Sequence, residues 1–167
     1  MSDDAAGGFR GRCYVVLGAT GGIGSEVSRR LSDAGARLVI GARTDDDVEE
    51  LAQELEALPF PLDARSFEEV EECVRRAVEE HGRLDGVVNA VGSILIRPAH
   101  MTREEALREV LDTNLVSAFA AVRAGATRMR ERGGSLVLFS TAAVRAGIPN
   151  HEAIAAAKGG VEGLTRA

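Results

Sequence analysis

The chain is short of the features that mark several protein classes. Its 167 residues hold two cysteines, Cys13 in a strand-like run and Cys73 in a helix-like run. Two such thiols make neither a disulfide framework nor a metal cluster; they read as buried side chains of a reducing, cytoplasmic protein. No apolar run approaches the roughly 20 residues that a membrane helix needs. Basic residues are the minority, with 20 Lys and Arg against 26 Asp and Glu for a net charge of −6. Nucleic acid is disfavoured as the main partner, because phosphate binding needs a basic patch. No internal repeat at solenoid periods is present. Residues 1–10, MSDDAAGGFR, lack a basic start followed by an apolar core, so they read as a loose acidic tail and not a signal peptide. What is present is a 45% hydrophobic, 28% charged chain. It is long enough for one domain with a sizeable core, over residues 11–167.

The stretch from Tyr14 to Gly24, YVVLGATGGIG, organises the rest. An apolar strand stops at Gly18, glycines recur at Gly21, Gly22 and Gly24, and a helix begins. Residues without bulk let backbone N–H groups approach a ligand, and a helix start offers unpaired donors and partial positive charge. The pattern predicts a cradle for the pyrophosphate of a dinucleotide. Ile23, Val27 and Leu31 give the helix its inner face, and Arg37 to Ile40 forms a second strand, completing a unit of βαβ size. That context is what gives a glycine pattern weight. Ala42 and Arg43 follow, at the place that faces the adenosine ribose in dinucleotide folds. An arginine there accommodates a 2′-phosphate, which favours NADP over NAD; the alternative is a solvated arginine at a strand end. Asp45, Asp46 and Asp47 are expected to cap a helix from about Asp47 to Ala57.

Leu58 to Leu62 carries Pro59 and Pro61, which predicts an edge strand, and Asp63 ends it as a turn residue or cap. Ser66 with Glu69, and Thr102 with Glu105, have the spacing of capping boxes. His81, at the end of the helix opened by Ser66, is expected to complement the helix dipole. LDGVVNAVG, Leu84 to Gly92, reads as a strand running into a turn. Asn89 lies near its end, where ligands bind in open α/β sheets. The helix opened by Thr102 is interrupted at Asp112-Thr113-Asn114 and resumes to Arg132; Asn114 is a poor helix former at an interior position. SLVLF, Ser135 to Phe139, is a strand with Ser140 and Thr141 at its carboxyl end, and a last helix starts near Asn150. Alternating βα units predict a doubly wound, Rossmann-like parallel sheet of α/β class, five βα units in strand order 3-2-1-4-5.

From about Arg10 to Ala167 these motifs resemble the short-chain dehydrogenase/reductase family. Leu17 to Gly24 is similar to its TGxxxGxG signature with Leu17 in place of threonine, and Val88 to Gly92 resembles its NNAG segment. The resemblance implies cofactor contacts at Gly18, Thr20, Gly22, Ile23, Gly24, Asn89 and Gly92, and an adenine contact at Asp63. It implies a supporting role for Asn114 in a water-linked proton relay. It also implies hydride transfer between a nicotinamide cofactor and a small carbonyl or alcohol substrate. In the family a YxxxK motif supplies the proton: the lysine lowers the tyrosine's pKa and holds the nicotinamide ribose, while a serine binds the substrate oxygen. Here the aligned stretch is Ile154-Ala155-Ala156-Ala157-Lys158, with Thr141 at the serine position. Ile154 cannot move a proton, and the only tyrosine, Tyr14, lies in the first strand. The family continues beyond this helix with two more strands, a Pro-Gly segment and a substrate loop, none of which lies in these residues.

Three readings follow. In the first the protein is an NADP(H)-dependent oxidoreductase with altered proton donation. His151, Ile154 and Lys158 then share a helical face, so that His151 is a candidate acid/base and Glu152 a weaker one. The alternative for His151 is an ordinary first-turn residue. In the second the chain binds the dinucleotide without turnover, as a regulatory or scaffold protein. The third is an interaction module, in which the small residues of the last helix pack against an oligomeric partner. The resemblance implies a homo-oligomer through helices around 102–132 and 150–167.

Overall fold

The computed structural model describes residues 8–167; the first seven, and with them most of the expected tail, lie outside the described residues. Gly8 to Gly11 form a turn that sets Phe9 against Tyr14, ring centroids 5.8 Å apart.

Five parallel strands stand in the order β3-β2-β1-β4-β5. They are β1 (Cys13–Leu17), β2 (Arg37–Ala42), β3 (Leu58–Pro61), β4 (Gly86–Asn89) and β5 (Ser135–Leu138). The helices are α1 (Gly22–Asp33), α2 (Asp45–Leu55), α3 (Phe67–His81), α4 (Glu104–Leu111), α5 (Ser117–Met129), α6 (Ala143–Ala146) and α7 (Glu152–Arg166). Between α4 and α5, Asp112–Val116 is a π-helical turn. Strand order and the edge position of the proline-bearing β3 agree with the sequence pattern. Alternation along β1 explains why both sheet faces are covered. Cys13, Val15 and Leu17 join Val70, Cys73, Val74, Ala77, Ala120, Ala121 and Ala124 in one core, under α3 and α5. Tyr14 and Val16 join Leu38, Ile40, Val48, Leu51 and Ala52 in the other, with α2. A strand buried on both sides must read as a continuous apolar run, and β1 does. Both cysteines are free and buried, and burial pushes the Cys13 thiol up to about 12.

Several local expectations are corrected. Helix α2 begins at Asp45 and not Asp47, so the three aspartates fill its first turn instead of capping it. Ser66 does cap α3, accepting from Glu69 N–H at 3.2 Å, but the Glu69 carboxylate accepts from Asp63 N–H at 2.8 Å, not from Ser66. The Thr102 box does not form. The Thr102 hydroxyl donates to the Pro98 carbonyl at 3.1 Å, and Arg103 takes the N-cap position. The last helix starts at Glu152, because Asn150 is left-handed, with φ +64°.

His81 is not the charged dipole partner expected. It is half-buried, its Nε2 is sealed from solvent without a hydrogen bond, and burial, then the Arg37 charge, hold its pKa below 6.5; Glu80 opposes them. The unfolded chain therefore takes up this proton before the folded one does. Stability is fully present above pH 6.5 and is lost as pH falls from there toward the folded-state value. The urea midpoint is expected to fall between pH 7 and about pH 5.5. A His81→Gln variant should flatten that slope, and an unchanged slope would assign it to other groups.

Candidate active site

A cleft lies beyond the carboxyl ends of β1 to β4, where open α/β sheets bind ligands. Gly18, Thr20 and Gly21 line it from the first turn, Arg43 from the end of β2, Asp63 and Arg65 from the end of β3, Gly92 from the end of β4, and Thr113 from the π-turn. The structure thus gathers Gly18, Thr20, Arg43, Asp63 and Gly92 of the expected cofactor residues, and adds Arg65.

The glycine turn is built for close approach. Gly18 has φ +74°, and a Cβ there would lie 2.9 Å from Val91 N. A Cβ on Gly24 would lie 2.1 Å from the Gly18 carbonyl oxygen, so only glycine lets α1 rest on the turn. Gly22 differs, with nothing within 4 Å of an added Cβ. The start of α1 has no side-chain cap and no acid in its first turn. Gly18 N–H and Ala19 N–H donate to the Gly41 carbonyl at 2.8 and 3.0 Å. The N–H groups of Gly22, Ile23 and Gly24 have no acceptor among the described residues, and they are the donors a phosphate can use. The Ile23 side chain is 54% exposed.

Asn89 is buried and spent on structure. Its Nδ2 donates to Ser117 Oγ at 3.2 Å, its Oδ1 accepts from Val91 N–H at 3.2 Å, and Ser117 Oγ donates to the Thr113 carbonyl at 2.6 Å. This chain of bonds ties the end of β4 to the π-turn. Asn114, fully buried in that turn, holds the next residue of the loop. Its Oδ1 accepts from Ser93 N–H at 3.2 Å, and its Nδ2 donates to the Ser93 carbonyl (3.2 Å), Ser93 Oγ (3.1 Å) and the Val110 carbonyl (3.0 Å). The misfit of an interior asparagine is resolved: the π-turn accommodates it, and its amide clamps Ser93.

Gly92 marks where these parts meet. A Cβ on it would stand 3.1 Å from Asn114 Oδ1 and 3.7 Å from Lys158 Nζ. Lys158 is 8% exposed and has no hydrogen bond or ion pair among the described residues; burial alone holds its pKa below the usual lysine value. Its Nζ is nonetheless not sealed, since His81 Nε2 is the one sealed, unpartnered side-chain atom among the described residues. One turn earlier on α7, Ile154 is 4% exposed and packs with Val110, Ala153, Ala157, Leu95 and Leu111. The Ile154 side chain is part of the core.

At the end of β5 the two hydroxyls differ. Ser140 Oγ donates to Glu162 Oε1 at 2.9 Å, whereas Thr141 Oγ1 only accepts, from Ala143 N–H at 3.3 Å, and keeps its proton free. His151 is the N-cap of α7, outside the helix proper. Its Nδ1 lies 2.8 Å from the Pro149 carbonyl. A carbonyl can only accept, so Nδ1 carries a proton, and in the neutral ring Nε2 is the acceptor. Neither Thr141, His151 nor Lys158 lines the cleft occupied by Arg43 and Asp63. Sequence reasoning missed Arg65 and Ser93. The Asp-x-Arg spacing at 63–65, in which an aspartate bonds two residues onward, was the available signal for the first.

Fold and cleft define a doubly wound α/β protein with a cleft at the strand carboxyl ends. The family description Enoyl-(Acyl carrier protein) reductase matches residues 18–167. L-fucose dehydrogenase of Oryctolagus cuniculus is 32% identical over 161 residues, which are 95% of this chain and 57% of that protein. The 3-oxoacyl-(acyl-carrier-protein) reductase FabG of Thermotoga maritima is 29% identical, over 95% of this chain and 67% of its own. The solved structure of a short-chain type dehydrogenase/reductase from Mycobacterium ulcerans superposes with a TM-score of 0.89 at 31% identity, over 93% of this chain and 60% of that one. The chain belongs to the short-chain dehydrogenase/reductase family of oxidoreductases. It spans between 57% and 67% of the lengths of these relatives.

Proposed function

We propose that the chain is the cofactor-binding and catalytic part of an NADP(H)-preferring oxidoreductase acting on a small carbonyl or alcohol. The observation that carries this is Lys158, a buried cation beside Gly92 and Asn114 that lacks an acceptor of its own. A largely buried cation whose Nζ is still accessible is poised to take an acceptor from a ligand. The residues fit a nicotinamide dinucleotide. The free N–H groups of Gly22 to Gly24 suit its pyrophosphate, Arg43 and Asp63 its adenosine, and Lys158 a ribose hydroxyl. When bound, the cofactor supplies a hydride to, or takes one from, the substrate carbon. Asn114 keeps the Gly92–Ser93 loop fixed against Lys158. Thr141 offers a free hydroxyl to the substrate oxygen. With Ile154 inert, His151 Nε2 is the proposed group for exchanging the proton. Self-association through α4, α5 and α7 belongs to the same proposal, supported by Phe119, 48% exposed on α5, and by the small residues of α7.

A second reading rests on one observation. Ile154 belongs to a packed core, which is what a dinucleotide-binding protein without turnover would show. Separate titrations with NADPH and NADH, followed by nicotinamide fluorescence, and then a panel of carbonyls, distinguish the two. NADPH is expected to bind more tightly than NADH and to be oxidised by at least one carbonyl. Binding without oxidation would favour the second reading, and no binding would remove both. Lys158→Met is expected to weaken NADPH by about tenfold to a hundredfold through loss of a charge-assisted hydrogen bond.

A further inference from the structure

We propose that Arg65 is a specificity-determining residue: by forking onto Asp63 it keeps Arg43 free for the 2′-phosphate of NADP(H). The inference rests on the dinucleotide reading above. Arg65 Nε lies 3.0 and 2.9 Å from the two Asp63 carboxylate oxygens, Nη2 lies 2.5 Å from Oδ2, and Arg65 N–H donates to Oδ1 at 3.0 Å. Both oxygens of Asp63 are therefore engaged by one neighbour, and its charge is neutralised within the loop. Arg43 is close enough to Asp63 to lower the carboxyl's pKa, after the larger effect of Arg65, yet it forms no ion pair among the described residues. Arg43, Asp63 and Arg65 all line the same cleft, and Asp45 and Glu69 share a second hollow with Arg43 and Asp63. The Glu69 carboxylate is already occupied by Asp63 N–H.

Without Arg65 the arrangement changes sign where it matters. An unneutralised Asp63 becomes the nearest partner for Arg43 and a like charge for an incoming phosphate. A free ribose 2′-hydroxyl, by contrast, is indifferent to that carboxylate or can donate to it. Arg65 thus acts through Asp63, as a positioning residue that biases the choice between two cofactors. Its pair with Asp63 is largely exposed, and such pairs contribute little to stability, so its removal should leave the fold intact.

The test is the ratio of NADPH to NADH dissociation constants, read by fluorescence titration without substrate. Arg65→Ala is expected to weaken NADPH by about tenfold or more and to leave NADH within about threefold. The double variant Arg65→Ala with Asp63→Asn removes the released charge and should return the NADPH-to-NADH ratio to within about threefold of the natural protein's, because a lost adenosine contact weakens both cofactors alike. Equal weakening of both cofactors would make Arg65 a merely structural residue and overturn the proposal. So would an unchanged ratio, or a double variant no better than the single. If the natural protein binds neither cofactor, the dinucleotide reading itself fails and takes this inference with it. Urea midpoints of all three proteins separate any loss of fold from a change in preference.

Discussion

An Ile154→Tyr variant is expected to reduce carbonyl substrates about 10²-fold faster than the natural chain, or more, the contribution a positioned general acid makes. Position 154 lies four residues before Lys158, so both side chains share one face of α7. A phenol there stands within the field of a buried ammonium that has no partner among the described residues. The cost is packing. Ile154 is 4% exposed among Val110, Ala153, Ala157, Leu95 and Leu111, and a larger ring must displace one of them. Leu95 is the neighbour able to yield, since it sits in a loop whose Ile94 and Ile96 are 66% and 63% exposed. The variant should lose about 1–3 kcal/mol of stability, the usual range for overpacking. Single-turnover oxidation of bound NADPH and a urea midpoint measure the two effects independently. A variant that folds and binds NADPH yet gains no rate would show that a phenol at position 154 does not limit the reaction, and would favour binding without turnover.

The second large effect is expected at Gly24. Its added Cβ would meet only backbone: the Gly18 oxygen at 2.1 Å, the Gly18 carbonyl carbon at 2.8 Å and Ala19 Cα at 2.9 Å. Nothing there can rotate away, so α1 must lift from the glycine turn. Gly24→Ala should cost roughly 3 kcal/mol, the upper end for overpacking, and weaken cofactor binding by at least about tenfold as the free N–H groups lose their aim. Gly22→Ala is the control. It is the first residue of α1 with open space around it, so alanine should leave stability unchanged or raise it by about 0.5–1 kcal/mol. Any loss of NADPH affinity in Gly22→Ala then reports contact with the ligand and not damage to the turn. Similar urea midpoints for the two variants would contradict the packing argument.

Much of this arrangement was legible in the chain. Strand order followed from alternating βα units, and two prolines placed β3 at the edge. The glycine turn declared itself because its requirement is local: a short strand, a positive φ and a helix start within a dozen residues. The site was less legible because its requirements are not local. Asn114 stood out as a poor helix former, but its partner Ser93 lies 21 residues away, and no spacing rule connects them. Asn89 was expected to meet the cofactor, and its amide also bonds Ser117, 28 residues on, a partner no spacing rule points to. The Thr102 box did not form because the helix starts one residue later, with Arg103 at the N-cap, while the Thr102 hydroxyl donates to the Pro98 carbonyl. His81 had the favourable position expected of it but not the favourable charge, because burial and Arg37 act from outside its helix.

The π-turn at Asp112–Val116 also sets an index. One residue corresponds to about 100° of helix rotation, so the turn fixes the angular phase between α4 and everything that follows. With that phase, Ala118, Ala121, Ala124 and Gly125 are buried on α5, while Asn114 meets the Ser93 loop. Deleting one residue from the turn would restore a regular ladder and put the two halves out of step. Either Asn114 keeps its loop and the small-residue face of α5 turns off the sheet, or the core is kept and the clamp is lost. The core and the loop that carries Gly92 are thus geared together through a single tooth.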